Sequence, residues 1–375
     1  MEGPAYLIDL DRLAENCRTA HENAAALGVE LLMALKAFPL PAAFGTIAPH
    51  VGAFTASGLY EARLGAAGGV PVHVHAPAYA PGEIEAMPPE CTHIVFNSIA
   101  QLRRYAPVAR ARGMSVGLRI NPGFSRAGSL KYDPCCPDSR FGVLIEEYDR
   151  AYAQGGLPPV DGVHIHALCE GYASDFAALV ERFDRDFGSR LGRFKWVNLG
   201  GGEVIDRPGY ATAAAVAAVR KLRSHGDFAV WIEPSEYLVR SAGRLRAHVL
   251  DVIHREKDIA VLDVSLSCHA TDLLLFDMRA EVLAPEQAED GRETVLGCVS
   301  CLAGDVLGTY RFKRPLAPGD TVEIGSMGCY SFAQASWFNG VRRPEVRLVS
   351  RSGGERTVLA WDYDDYRREF GGVLL

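Results

Sequence analysis

Lys36 sits inside the apolar run Leu-Leu-Met-Ala-Leu-Lys-Ala-Phe, residues 31–38. Lysine is almost never buried without a partner or a task. Removal from water lowers an amine's pKa and frees its lone pair for attack on a carbonyl; a lysine at the rim of a fold, reaching back to water, is the alternative. Further on, Gly200, Gly201 and Gly202 remove every β-carbon from one turn, so backbone N–H groups can approach an anion such as a phosphate. A tight turn is the competing explanation, although one or two glycines would serve it. Glu233 ends the run Trp-Ile-Glu-Pro and offers a carboxylate to a protonated ring nitrogen, unless neighbouring donors satisfy it. His166, in His164-Ile-His166, can lay its imidazole on a flat ring, though a core histidine is usually only hydrogen-bonded. Cys298-Val-Ser-Cys301 is half a zinc site with no second half, so no metal is expected.

These residues need a scaffold that brings distant segments together. Eight apolar runs alternate with helix-like segments: Leu31–Ala37, Gly52–Gly58, Val72–Pro77, His93–Ser98, Val116–Pro122, Gly162–Ala167, Trp196–Gly202 and Ala229–Ser235. Several are near-continuous Val/Ile/Leu stretches, as in parallel strands buried on both faces. Eight strand–helix units predict an α/β fold, a closed (β/α)8 TIM-type barrel over residues 10–240. After about Gly243 the segments become strand-like, separated by turn residues such as Ala-Pro-Gly-Asp. A C-terminal antiparallel β domain over residues 241–375 is therefore expected, with residues 1–9 joining it. Active groups of such barrels gather at the C-terminal strand ends, and phosphate often binds after strands seven and eight. Lys36 ends the first strand, Arg119 and Asn121 the fifth, His164 and His166 the sixth, the glycines the seventh and Glu233 the eighth.

The formal net charge of −7 argues against nucleic-acid binding, which needs a basic surface. No apolar stretch is long enough to cross a bilayer, and the N-terminus lacks the pattern of a secretory leader. Nine scattered cysteines fit reduced thiols, so a cytoplasmic location is expected.

The order Lys36, His164-Ile-His166, Gly200-Gly201-Gly202, Glu233-Pro234 and Cys301-Leu-Ala-Gly-Asp305 resembles the fold-type III pyridoxal-phosphate (PLP) enzymes, a group with an alanine racemase-like fold. The segments Tyr-Asp-Pro-Cys (132–135), His-Ala-Leu-Cys-Glu (166–170), Cys-Leu-Ala-Gly-Asp (301–305) and Phe-Asn-Gly (338–340) make the chain most similar to the carboxynorspermidine/carboxyspermidine decarboxylases. That resemblance implies a PLP decarboxylase acting on an α-amino acid with an amine-bearing side chain. It implies that Lys36 holds PLP covalently, that His166 stacks on its ring and that the three glycines bind its phosphate. Glu233 would pair with the ring nitrogen, and the Tyr330 hydroxyl would approach the phosphate. Cys301 would return a proton to Cα. Glu170, His269, Asp272, Arg279, Asp305 and Gln334 would line the substrate pocket. It further implies a homodimer with shared active sites, Cys301 and Asp305 entering from the partner subunit.

The chain departs from the family pattern in places. Ser235 follows Glu233-Pro234 where the family has glycine. Ala270 and Thr271 separate His269 from Asp272 where Met-Pro is usual. Gln334 and Trp337 stand in a loop that usually carries a lysine, which implies an altered substrate pocket. The alternatives are a decarboxylase of a specialised-metabolite or diaminopimelate-like substrate, an amino-acid racemase, and a non-catalytic PLP-binding homologue.

Overall fold

A computed structural model describes residues 3–127 and 132–372. The chain divides into two compact units, Ala14–Leu238 and a second made of Met1–Leu13 with Val239–Leu375.

The first unit is a closed barrel of eight parallel strands: Glu30–Ala34, Ala53–Ala56, Val72–His75, Cys91–Phe96, Ser115–Asn121, Gly162–His164, Trp196–Asn198 and Ala229–Ile232. Each pairs in parallel with the next, and the eighth returns to the first through Trp231–Glu30 and Ile232–Leu31. All eight correspond to runs read from the sequence. The intervening helices show the expected apolar stripe. In Ala173–Phe187 the buried residues Phe176, Leu179, Val180, Phe183 and Phe187 recur at helical spacing. Ser98 and Thr212 cap two other helices by accepting from Gln101 N–H and Ala215 N–H.

Rings as well as branched aliphatics fill the barrel interior. Trp196 and Trp231 stack with centroids 5.1 Å apart within a cluster containing Leu32, Ala53 and Val95. Gly117 and Gly162 make room for Trp196, since a β-carbon at either would lie 2.2 or 2.0 Å from its indole. Each indole N–H has an acceptor, Ser115 Oγ at 2.9 Å and Glu30 Oε2 at 2.8 Å. Against this floor lie His73 and His93, 4.0 Å apart between centroids. Above them His75 and His164 lie 4.8 Å apart.

The second unit is a mostly antiparallel sheet. The N-terminal strand Ala5–Asp9 pairs antiparallel with Gly243–His254 and parallel with Glu345–Ser350. Asp258–Leu262 makes a second parallel pairing, with Gln287–Gly297. Gln287–Gly297 and Val306–Phe312 form a long antiparallel hairpin, so Cys298–Asp305 is its tip. Three short helices, Leu266–His269, Thr271–Leu275 and Tyr363–Glu369, interrupt what the sequence pattern suggests is strand and turn.

The ring-filled barrel has a pH consequence. Burial lowers the pKa of His73, His75 and His164 well below the usual value, and that of His93 to about 4. The unfolded chain binds these protons near pH 6.5 and the native barrel does not. The stability they contribute is therefore present above about pH 6.5 and lost as pH falls, His93 dropping out near 4. We expect denaturant midpoints to fall steadily from pH 7 to pH 5, each histidine adding a slope on the order of 1 kcal/mol per pH unit. His93→Gln should flatten that slope, and an unchanged slope would show that other groups set it.

Candidate active site

Four strand ends of the barrel converge on one hydrogen-bonded web. Asn198 is its bridge: its Nδ2 donates to Glu233 Oε1 at 2.6 Å, and its Oδ1 accepts from Gly200 N–H at 2.8 Å. The other Glu233 oxygen accepts from Thr55 Oγ1 at 3.0 Å. Glu233 N–H donates to Gly200 O at 2.6 Å. Ser235, the departure from the family's glycine, accepts from Ala34 N–H at 2.5 Å through its hydroxyl. It thereby ties the eighth strand to the first just before Lys36.

The three glycines are needed sterically. A β-carbon on Gly200 would lie 2.4 Å from Ile165 O, one on Gly201 2.2 Å from Glu233 O, and one on Gly202 2.4 Å from Leu168 O. Gly200 and Gly202 also have φ of +80° and +102°, which side-chain-bearing residues avoid. The turn therefore nests between neighbouring loops, and two of its amides are already committed. Gly200 N–H serves Asn198, and Gly201 N–H donates to His166 Nδ1 at 3.0 Å. Among the described residues the Gly202 amide has no protein acceptor, so the cradle read from the sequence narrows to that amide.

The bond from Gly201 requires an unprotonated Nδ1 on His166. Burial, then the nearby Lys36 and Arg119 charges, hold the His166 pKa well below the usual range, so the ring is neutral with its proton on Nε2. Lys36 follows the first strand in a turn and is exposed, between wholly buried Leu35 and Ala37. Of the two readings of the apolar run, a desolvated amine and a lysine at the rim reaching water, the exposure of Lys36 fits the second.

Sequence reasoning gave no role to Arg119, Asn198 or Thr55. Arg119 is 5% exposed, lies with its guanidinium 4.4 Å from the Phe141 ring centroid, and has no hydrogen-bond acceptor among the described residues. Burial lowers its pKa to about 10, against the pull of Cys135 and Glu233. A charge in an otherwise apolar strand, the signal that singled out Lys36, was present there too.

In the second unit, Cys301 is exposed at the hairpin tip, and Asp305 closes that tip. Asp305 is only 4% exposed; its Oδ1 accepts from Ser267 N–H at 3.2 Å, and Oδ2 has no hydrogen-bond partner among the described residues. His269 is wholly buried, accepting Ser265 N–H on Nδ1 and Tyr6 O–H on its carbonyl. Burial lowers its pKa to about 4. The Asp305 and His269 side chains are both buried within this unit, each accepting one backbone N–H of the segment Ser265–Ser267. Asp272 is half-buried and bonded by Gln334, which is itself exposed, and burial raises the Asp272 pKa to about 6 despite Arg240. Arg279 is exposed, donates to Thr309 O and lies 4.5 Å from the Tyr310 ring centroid. Glu170 and Tyr330 both have left-handed backbones, φ +53° and +57°. Trp337 is buried, and its indole N–H donates to Glu369 Oε2 at 2.8 Å. This bond ties it to the C-terminal helix.

Comparison with known proteins decides the family. Residues 8–183 match the alanine racemase N-terminal domain family. A carboxynorspermidine/carboxyspermidine decarboxylase from Herminiimonas arsenicoxydans is 34% identical over 365 residues, covering 97% of this chain and 98% of that protein. The chain belongs to the carboxynorspermidine/carboxyspermidine decarboxylase family. A carboxyaminopropylagmatine decarboxylase from Synechocystis sp. is also 34% identical, over 99% of this chain and 96% of its own length. The crystal structure of carboxynorspermidine decarboxylase from Campylobacter jejuni, complexed with norspermidine, superposes with a TM-score of 0.87 at 30% identity, covering 98% of this chain and all of that one.

As a member of this family, the chain is a PLP-dependent decarboxylase, and the barrel suits that cofactor. It offers an exposed primary amine, a carboxylate with both oxygens held, a neutral imidazole and a glycine turn that a β-carbon would fill. Glu203, directly after the glycines, is wholly buried with both oxygens unpartnered among the described residues. Burial, with a smaller push from Glu233, raises its pKa to about 8. The native state therefore keeps a proton that the unfolded chain releases near pH 4.5, so the stability contributed by Glu203 is present below that pH and lost as pH rises towards 8. Glu203→Gln should be increasingly more stable than wild type from pH 5 to pH 8, by on the order of 1 kcal/mol per pH unit. A constant difference across that range would show that Glu203 stays ionised.

Proposed function

We propose that this enzyme removes the α-carboxyl group from an amino acid that carries an aminopropyl or longer amine-bearing side chain, the carboxynorspermidine and carboxyspermidine class. The observation that carries the reading is the Asn198–Glu233–Gly200 web beside Lys36 and His166, in a chain similar to those decarboxylases over nearly its whole length. When bound, PLP supplies the electron sink for breaking the bond from Cα to the carboxyl group. Lys36 would hold it, His166 would lie against its ring, and the Gly202 amide and the Tyr330 hydroxyl would serve its phosphate. Glu233, fixed by Thr55 and Asn198, would keep a proton on the ring nitrogen. The Cys301 thiol would hold the proton destined for Cα. Asp272 with Gln334 would offer a carboxylate and an amide to distal nitrogens. The equal identity to a carboxyaminopropylagmatine decarboxylase supports a second reading, in which the far end of the substrate is a guanidinium.

Carbon dioxide release over carboxynorspermidine, carboxyspermidine, carboxyaminopropylagmatine, diaminopimelate, ornithine, lysine and arginine tests this. We expect one of the first three to exceed the rest by at least about tenfold in kcat/KM, roughly 1.4 kcal/mol. Preference for diaminopimelate would overturn the substrate assignment, and racemisation without carbon dioxide release would overturn the reaction.

The same reading includes a twofold dimer in which Cys301 serves the partner's barrel. Exposed Leu274, Leu275, Phe276 and Met278, together with Val299 and Leu302 beside Cys301, support a surface that a second copy covers. Among the described residues no helix is long and apolar enough to cross a membrane, and all nine cysteines are free, which supports a cytoplasmic location. Lys36→Ala and Cys301→Ala homodimers should each be nearly inactive. After subunit exchange at equal concentrations, half the dimers are mixed, each with one intact site, so activity should return to about a quarter of wild type. Confirmed exchange with no recovery would place Cys301 in its own chain's site or outside catalysis.

A further inference from the structure

The thiol read as the proton donor stands on an eight-residue hairpin tip, Cys298–Asp305. The tip is closed at its base by Cys298 N–H donating to Asp305 O and is braced by Val299 N–H donating to Val264 O. At Cys301 itself the tie is a side chain: Cys301 N–H donates to Asn339 Oδ1 at 2.7 Å. Asn339 has φ +60° and ψ 15°, a left-handed conformation that asparagine tolerates better than most side-chain-bearing residues. Two residues earlier, Trp337 is clamped from several sides. Its indole N–H donates to Glu369 Oε2 at 2.8 Å, and its ring meets Tyr366 edge-on at 5.5 Å and Trp361 at 6.4 Å. Arg343 lies 4.2 Å from the Trp361 ring centroid and pairs with Glu369 at 3.9 Å. Glu369 and Tyr366 belong to the helix Tyr363–Glu369, whose start is fixed by a reciprocal cap between Asp362 and Asp365.

We propose that Asn339 is a positioning residue for Cys301, and that the C-terminal helix holds Asn339 in place through Trp337. This rests on the reading of Cys301 as the proton donor. A thiol on an exposed tip samples many positions, and proton transfer requires hydrogen-bond reach of its target. A tie to its own backbone N–H restricts where the thiol can go without consuming the thiol. The carboxamide fits this task because it accepts through Oδ1 while its backbone takes the positive φ that the tight turn before Gly340, φ +67°, demands. The clamp on Trp337 then explains why this family member carries a tryptophan there: the indole supplies the N–H that locks the helix to the loop.

A misplaced proton donor leaves a chemical trace. With PLP bound, a proton not delivered to Cα would divert turnover to an aldehyde, its oxygen taken from water, while the cofactor would keep the substrate nitrogen as an amine and the two electrons the substrate loses. The aldehyde-to-amine product ratio therefore reports where the proton was delivered.

The test uses the holoenzyme with four variants. Asn339→Gly keeps the left-handed backbone and removes the acceptor. Asn339→Asp keeps both. Trp337→Phe keeps an aromatic ring and removes the donor to Glu369. Cys301→Ala removes the thiol. The readouts are kcat and KM, the aldehyde-to-amine ratio, and the rate of Cys301 alkylation by iodoacetamide followed by peptide mass. For Asn339→Gly we expect kcat to fall by roughly ten- to a hundredfold with KM near wild type, together with a raised aldehyde fraction and a changed alkylation rate. Asn339→Asp should stay near wild type, and Trp337→Phe should shift the same readouts in the same direction by less. Should Asn339→Gly fail to fold, Asn339→Ala, which also lacks an acceptor, reads out the same loss. Wild-type product ratio and alkylation rate in the folded Asn339 variant, with Cys301→Ala impaired, would overturn the positioning role alone. Unchanged readouts in Trp337→Phe would overturn the helix clamp. Wild-type turnover in Cys301→Ala would instead remove the reading of Cys301 on which the inference rests.

Discussion

One carboxamide holds the barrel mouth together. Asn198 donates to Glu233 and accepts from Gly200 N–H, so a single planar group fixes both a carboxylate proposed to meet a cation and a turn proposed to meet an anion. The two demands are opposite in sign, and an amide suits both because one end donates and the other accepts. A carboxylate at position 198 could accept from Gly200 but would repel Glu233, and a lysine could pair with Glu233 but would leave the Gly200 amide without an acceptor. Because the bridge spans the seventh and eighth strands, its geometry depends on their register, Val230 opposite Val197 and Trp231 opposite Asn198. Barrel closure and site geometry are therefore one constraint.

A second constraint is electrostatic. Lys36 and Arg119 bring positive charge to a region crowded with imidazoles, and the structure accommodates this by keeping those rings neutral. His75 and His166 are lowered by burial first and by the Lys36 and Arg119 charges second, and His164 by burial, then by His75 and those charges. Neutral rings can accept hydrogen bonds, as His166 does from Gly201, and can lie against a flat ligand without adding repulsion. The guanidinium of Arg119, which has no hydrogen-bond acceptor among the described residues and lies over the Phe141 ring, and the exposed Lys36 leave net positive character at the strand ends, which suits an anionic ligand.

The strand count, the glycine turn and Glu233 were legible in the sequence because each is a local pattern. Parallel strands show as apolar runs, and three glycines cannot be mistaken for an ordinary loop. Lys36 was legible as unusual, but its exposure was not, because the pattern of Leu35 and Ala37 carries no information about where a turn begins. Asn198 and Thr55 were missed for a related reason. Each is an ordinary polar residue in its own strand and gains meaning only when the second, seventh and eighth strands lie side by side. His269 and Asp305 read as pocket residues by resemblance, and their burial was not legible: each accepts one backbone N–H, from Ser265 and Ser267, two residues that the sequence places far from Asp305.

The C-terminal unit follows a different logic from the barrel. The barrel fixes its groups on strand ends that closure makes rigid, whereas Cys301 stands on a hairpin tip, where strand pairing stops at Gly297 and Val306. A tip must be held by contacts from elsewhere in the chain, and these are three ties from two segments: Val264 to Val299 and Ser267 to Asp305 from one, and Asn339 to Cys301 from the other. Each tie uses a backbone group of the receiving or donating segment, so none depends on the thiol. The sulfur can therefore change its protonation without loosening the loop that carries it, the property that the proposed role of Cys301 as a proton donor requires. Buried Asp305 and His269 bring to the base of the same loop an oxygen and a ring nitrogen that have no partner among the described residues, so the base of the loop is polar inside while its tip stays exposed.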